Sequence, residues 1–141
     1  MEKVPDCLYC QRNELQKSLM IEMCDLSFST VFLFREQSYP GRCVVACKKH
    51  VNELFELSVS ERNMFMDDVC KVAAAIQKAF EPAKINYGAY SDKLAHLHFH
   101  IVPKYVDGHT YGSTFEMNPQ KVYLTDEEYN DMIEAVKAGL E

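Results

Sequence analysis

The chain has 141 residues, six cysteines and a formal net charge of −6, with 48% hydrophobic residues. That length and apolar fraction predict one domain, residues 1–141, with a substantial core. The acidic balance argues against a nucleic acid polymer held on a broad basic surface, although a few local donors can still hold a short anion. No apolar run approaches the roughly 18 residues that span a bilayer, and no basic start leads into an apolar stretch. The sequence therefore predicts no membrane partner, a cytoplasmic location and reduced thiols.

In chain order, the first feature is Cys7-Leu8-Tyr9-Cys10. A redox CxxC follows a strand and opens a helix, whereas this one precedes the first predicted strand by about ten residues. Structural zinc fits better, because thiolates two residues apart can reach one tetrahedral ion and histidines can fill the other two positions. His50 and His96 are the candidates. Residues 20–24 and 30–34 read as consecutive strands, and Pro40-Gly41 breaks the chain before a third strand over 43–47. Lys48-Lys49-His50 is the one compact basic cluster, by default a solvated loop and alternatively a phosphate contact. Cys24, Cys43, Cys47 and Cys70 sit in apolar surroundings and read as small core residues.

Ser58 and Glu61 form a capping box, and Phe65, Val69, Val72, Ala73, Ile76 and Phe80 repeat at helical spacing behind it. Residues 85–90 read as a strand that turns at Ser91-Asp92-Lys93 into a second, forming a hairpin. The segment between Pro103 and Thr125 is long, polar and glycine-containing, as expected of a functional loop or one docked on a partner. Thr125 and Glu128 form a second capping box before an amphipathic C-terminal helix. The predicted fold is an α+β domain: an antiparallel sheet of about five strands, one long helix and a C-terminal helix.

The chemistry concentrates in His96-Leu97-His98-Phe99-His100-Ile101-Val102, which holds three of the five histidines. On a strand, alternation puts the three imidazoles on one face and Leu97, Phe99 and Ile101 on the other, and Pro103 is expected to close the strand. Such a row can bind a catalytic metal. It can equally present one imidazole as a nucleophile flanked by two that orient it or hold an anion.

This run resembles the signature of the histidine triad (HIT) superfamily of nucleotidyl hydrolases and transferases. Phe34-Arg35-Glu36, the Pro40-Gly41 turn, the strand ending in Lys49-His50, Asn86 and Pro103 also fit the pattern. The resemblance implies a HIT-like fold and a nucleotide substrate. His98 would be the nucleophile on the α-phosphorus, with His100 donating to phosphate oxygens and His96 completing the catalytic row. Asn86 would face the phosphate, and Phe32, Phe34 and Glu36 the nucleoside; Lys93 is no part of the resemblance and is the candidate to supply charge at the phosphates. Several bacterial members carry a zinc-binding CxxC, which implies structural zinc on Cys7, Cys10, His50 and His96, and members commonly form homodimers.

The implied reaction is hydrolysis of a phosphoric anhydride or phosphoramidate, as in a diadenosine polyphosphate, through a nucleotidyl-histidine. The alternatives are transfer of the same group to phosphate and nucleotide binding without turnover. Many family hydrolases carry a Ser or Thr shortly before the triad; here Leu94 stands there and cannot donate a hydrogen bond. That departure favours a leaving group that departs unaided, such as a nucleotide phosphate, over an amine.

Overall fold

The computed structural model describes residues 7–93 and 95–141. A short helix α1 (Glu14–Leu19) runs into strand β1 (Met20–Asp25), followed by β2 (Ser29–Phe34) and β3 (Cys43–Cys47). Helix α2 (Val59–Phe80), β4 (Lys84–Gly88), β5 (His98–Lys104) and helix α3 (Asp126–Leu140) complete the chain. The five strands form one sheet in the order β1-β2-β3-β5-β4, with every neighbouring pair antiparallel. This is the α+β architecture that the sequence predicts, an antiparallel five-stranded sheet with one long helix and a C-terminal helix. Among the described residues, no helix is long and apolar enough to cross a membrane.

The near-continuous apolar runs in β2 and β3 reflect burial on both faces, which removes the need for polar alternation. On one face Val31, Leu33, Cys43, Val45, Cys47, Phe99 and Ile101 pack against α2 and α3. On the other, Phe32, Phe34, Val44 and Ala46 pack against Leu8, Tyr9 and Met20. Both capping boxes form as expected, at Ser58/Glu61 and Thr125/Glu128. Helix α1 has no counterpart in the sequence reading, being too short for a periodic signal. Its N-cap Asn13 accepts from the Gln16 backbone, and the buried Gln16 amide donates to the Leu8 and Gln11 carbonyls at 2.7 and 2.8 Å. Those bonds tie the CxxC segment to the fold.

The histidine strand differs from its expected bounds. Regular pairing begins at His98, and His96 lies in a bend before it, although Leu97 still bonds the Val51 and Cys47 backbones. At the other end β5 continues through Pro103 to Lys104. The β3 ladder stops at Ile101, so Pro103 is paired only with Ile85 on β4 and interrupts no β3 partner. The Pro40-Gly41 break is a tight turn. Gly41 has φ +98°, and a Cβ there would lie 2.6 Å from the Phe80 ring, so both backbone and packing require glycine.

The long segment after β5 folds back onto this same domain. Glu36 holds it: its carboxylate accepts from the Ser38 backbone and hydroxyl and from the backbones of Lys121 and Val122. Burial raises the Glu36 pKa, but these donors outweigh it and hold the carboxyl below its ordinary value. Lys104 reaches the same segment, donating to the Thr110 and Ser113 carbonyls at 2.9 and 2.6 Å.

Candidate active site and metal cluster

Register across the sheet puts His98 opposite Ala46 and His100 opposite Val44 and Gly88, so both imidazoles stand on the face away from α2. Gly88, opposite His100, lets the Phe115 and Tyr90 rings pack down on the sheet; a Cβ there would lie 2.7 Å from Phe115. His98 Nδ1 is 2.7 Å from the His96 carbonyl oxygen. A carbonyl only accepts, so Nδ1 carries the proton and Nε2 keeps its lone pair. Ser91 reinforces this arrangement, its hydroxyl 3.3 Å from the same carbonyl and 3.1 Å from His98 Nδ1. Burial pushes the His98 pKa down, outweighing the support of the His96 carbonyl, and so favours the neutral ring.

His100 has the opposite arrangement. The Arg42 guanidinium lies 2.9 Å from its Nδ1. Burial, followed by the Arg42 charge and the neighbouring His98, drives the His100 pKa down to about 2. The two rings are 5.3 Å apart between centroids and line one cavity of about 640 Å³. Leu8, Tyr9, Leu19, Met20 and Phe34 form its apolar wall, while Ser91, Asp92, Lys93 and Asn118 supply polar groups. The Tyr9 ring lies over His98, 4.4 Å between centroids. An apolar slot ending at a lone-pair nitrogen and a second imidazole suits a ligand with a flat ring at one end and an anionic centre at the other.

Beside the cavity, the ligand atoms of Cys7, Cys10, His50 and His96 all lie within 4.8 Å of one another. Cys7 Sγ is 3.2 Å and Cys10 Sγ 3.6 Å from His96 Nδ1, Cys10 Sγ is 3.4 Å from His50 Nδ1, and the two Nδ1 atoms are 3.0 Å apart. Ordinary bond lengths to a tetrahedral ion give edges of about 3.4 Å between nitrogens and about 3.5–3.8 Å with sulfur, close to this set. His96 Nε2 donates to the Cys47 carbonyl at 2.6 Å, which leaves Nδ1 unprotonated for a metal. These four residues can bind a metal.

The HIT domain family model matches residues 16–107, more than half of the chain. The chain belongs to the HIT family. It is 29% identical over 90 residues to the protein named "Protein hit" of Bacillus subtilis (strain 168), a match spanning 60% of this chain and 62% of that protein. HIT structures share its fold. A histidine triad protein from Bradyrhizobium japonicum superposes with TM-score 0.84 at 18% identity, covering 93% of this chain and 98% of that one. A HIT protein from Sinorhizobium meliloti 1021 gives 0.84 at 20%, covering 92% and 96%. A hypothetical histidine triad nucleotide-binding protein from Sulfolobus tokodaii strain7 gives 0.67 at 18%, covering 89% and 87%.

Within this HIT domain, the residues expected at the site separate into groups. His98, His100, Phe34 and Lys93 line the cavity, and His96 turns its ring toward the cysteines. Phe32 is buried beneath the cavity wall in contact with Tyr9, 6.1 Å between ring centroids. Asn86 shares the histidine face through its pairing with Val102, but it is not among the residues lining the cavity. Glu36 does not reach the cavity, because its carboxylate is occupied by the 36–38 turn and residues 121–122. Lys48 and Lys49 are also directed elsewhere, to the Leu26 carbonyl and to Glu61. Leu94, at the position where many family hydrolases carry Ser or Thr, lies outside the described residues.

Tyr9, Arg42, Ser91, Met117 and Asn118 carry no triad signal in the sequence. For Ser91 one hint existed, its place in the turn before the triad; the structure gives it φ 61°, a conformation uncommon outside glycine, asparagine and aspartate.

The His100 shift has a measurable consequence. An unfolded chain protonates this ring at the ordinary imidazole value of 6.5, while the folded protein, with a pKa of about 2, does not. The unfolded state therefore binds more protons below pH 6.5, so the stability associated with this group is intact above that value and is lost as pH falls beneath it. The limiting slope is about 1.4 kcal/mol per pH unit. Urea unfolding at pH 7, 6 and 5 should show a steeper acid loss in the wild type than in His100→Asn. Equal slopes would exclude a neutral, buried His100.

Proposed function

We propose that this single HIT domain hydrolyses nucleoside polyphosphates or related nucleotidyl conjugates through a covalent nucleotidyl-His98 intermediate. The observation that carries this reading is the 2.7 Å bond from His98 Nδ1 to the His96 carbonyl beside an open cavity. In the first step the His98 Nε2 lone pair attacks the α-phosphorus, a P–N bond forms, and the bond to the leaving oxygen breaks with its electron pair. The His100 Nε2–H donates to a non-bridging oxygen as its charge grows. Water then attacks phosphorus and gives up a proton to solvent, the P–N bond breaks with its electron pair returning to Nε2, and a nucleoside monophosphate leaves with His98 restored.

The apolar wall of Leu8, Tyr9, Met20 and Phe34 suits the nucleoside base, and Lys93 at the rim suits a departing phosphate. Zinc is the proposed ion for Cys7, Cys10, His50 and His96, since two thiolates and two imidazoles in tetrahedral spacing match its preferences. Its role is structural: it would pin the segment that carries Leu8 and Tyr9 against the sheet. The working form in this proposal is a cytoplasmic homodimer, on the family resemblance alone. Mass spectrometry of protein quenched during turnover of a diadenosine polyphosphate tests the reading. A nucleotide mass on the peptide containing His98 is the expected result, and turnover with no such adduct under any quench condition would reject it.

A further inference from the structure

Arg42 precedes β3, is fully buried, and crosses to the histidine face. Its guanidinium lies over the Phe34 ring, 4.1 Å from the centroid, and 5.2 Å from that of Phe115. Nη1 donates to the Glu116 carbonyl at 3.2 Å, and Nη2 donates to His100 Nδ1 at 2.9 Å and toward Met117 Sδ at 3.5 Å. Nε has no partner, and no carboxylate pairs with the side chain among the described residues. A cation buried this way is costly, and an apolar side chain would fill the same space between two aromatic rings without that cost. What an apolar residue cannot do is donate to His100.

We propose that Arg42 is a positioning residue that fixes His100 as a neutral imidazole with its proton on Nε2, making that nitrogen an obligatory donor to anionic oxygen in the cavity. Guanidinium has donors only and keeps its charge, so the His100 nitrogen facing it must accept. This excludes the Nδ1–H tautomer, and it excludes the imidazolium, which has no acceptor nitrogen. Nε2 has no partner among the described residues, and the ring lines the cavity. Among the described residues, the charged or titratable groups in contact with His100 are Arg42 from the turn before β3 and His98 from its own strand, while Tyr9, Tyr90, Asp92 and Lys93 line the same cavity; β2 presents Phe34, β4 Gly88 and the loop Phe115. None of these offers a competing acceptor that would draw the proton to Nδ1.

The assignment rests on the nucleotidyl-transfer reading for its purpose, but its test requires no turnover. Nitrogen-15 NMR of imidazole-labelled full-length wild type should give an unprotonated Nδ1 and a protonated Nε2 for His100, unchanged from pH 5 to 8. A proton on Nδ1, or titration of His100 in that interval, would overturn the proposal without any variant having to fold. Arg42→Met should mix the two tautomers and lower kcat for a diadenosine polyphosphate about 10- to 100-fold, with a smaller change in KM. Arg42→Lys, still a buried donor, should restore the wild-type tautomer signals. A folded Arg42→Met that retains them would reduce Arg42 to a cross-link between β3 and residues 116–117. If the tautomer is as stated and no adduct forms on His98, the hydrolase reading fails while the assignment to Arg42 stands.

Discussion

His98→Asn should lower hydrolysis of a diadenosine polyphosphate by at least about 10³-fold while KM stays within a few-fold. Asparagine suits the test because its amide nitrogen can occupy the place of Nδ1 and keep the bond to the His96 carbonyl, now 2.7 Å long. The strand entrance and the cavity wall would then survive, and only the lone pair at Nε2 would be lost. No other described residue offers a substitute nucleophile in the same setting. His100 has its acceptor nitrogen occupied by Arg42, and Ser91 has its hydroxyl shared between His98 and the His96 carbonyl. Quenched samples of the variant should carry no nucleotide on the triad peptide. Turnover near the wild-type rate would eliminate the covalent route and turn attention to a catalytic metal.

Removing the metal should act on binding more than on chemistry. Chelation, or Cys10→Ala, should release one zinc per chain and lower Tm by roughly 10 °C, since an ion present at about 1,000 times its Kd contributes about 4 kcal/mol to a domain of this size. The segment around Leu8 and Tyr9 would keep its tie through the Gln16 amide but lose the cross-link to His50 and His96. Both residues wall the cavity, and the Tyr9 ring covers His98, so KM should rise more than kcat falls. A smaller kcat loss is also expected, because His96 faces both sites. Its Nδ1 is grouped with the cysteines, its Nε2 is held by Cys47, and its carbonyl orients the nucleophile. Metal analysis and thermal unfolding with and without chelator check the first part, and steady-state kinetics the second. An unchanged Tm after verified chelation would rule out a metal that holds the segment.

Much of the site could be read from the chain because its essential pattern is local. Alternation alone puts His98 and His100 on one strand face, and Phe99 and Ile101 against the helices, once that segment is a strand. The capping boxes are equally local, spanning three residues each. The CxxC was legible as half of a metal site, with its two histidine partners named, although the meeting of Cys7 with His96 depends on folding across 89 positions. Glu36 shows what local reading leaves out. The family resemblance places it near the nucleoside, but the loop that returns over 121–122 brings backbone donors to its carboxylate. Buried carboxylates take whichever donors the fold delivers, and nothing around Glu36 in the sequence announces residues 85 positions away.

The sequence by itself determined the α+β class, the strand and helix pattern apart from α1, the alternating imidazoles and the four candidate metal ligands, because periodicity, capping and motif spacing operate within a few residues, while the family came from the resemblance of the triad run. The family resemblance implies a different role for each of the three histidines, but only the tertiary structure decided which atoms hold each ring. His96 faces two cysteines and His50, His98 hangs from a neighbouring carbonyl, and His100 rests on a buried arginine. Which nitrogen of an imidazole holds the proton is set by the atom opposite it, and those atoms arrive from distant strands and from the loop folded over the sheet.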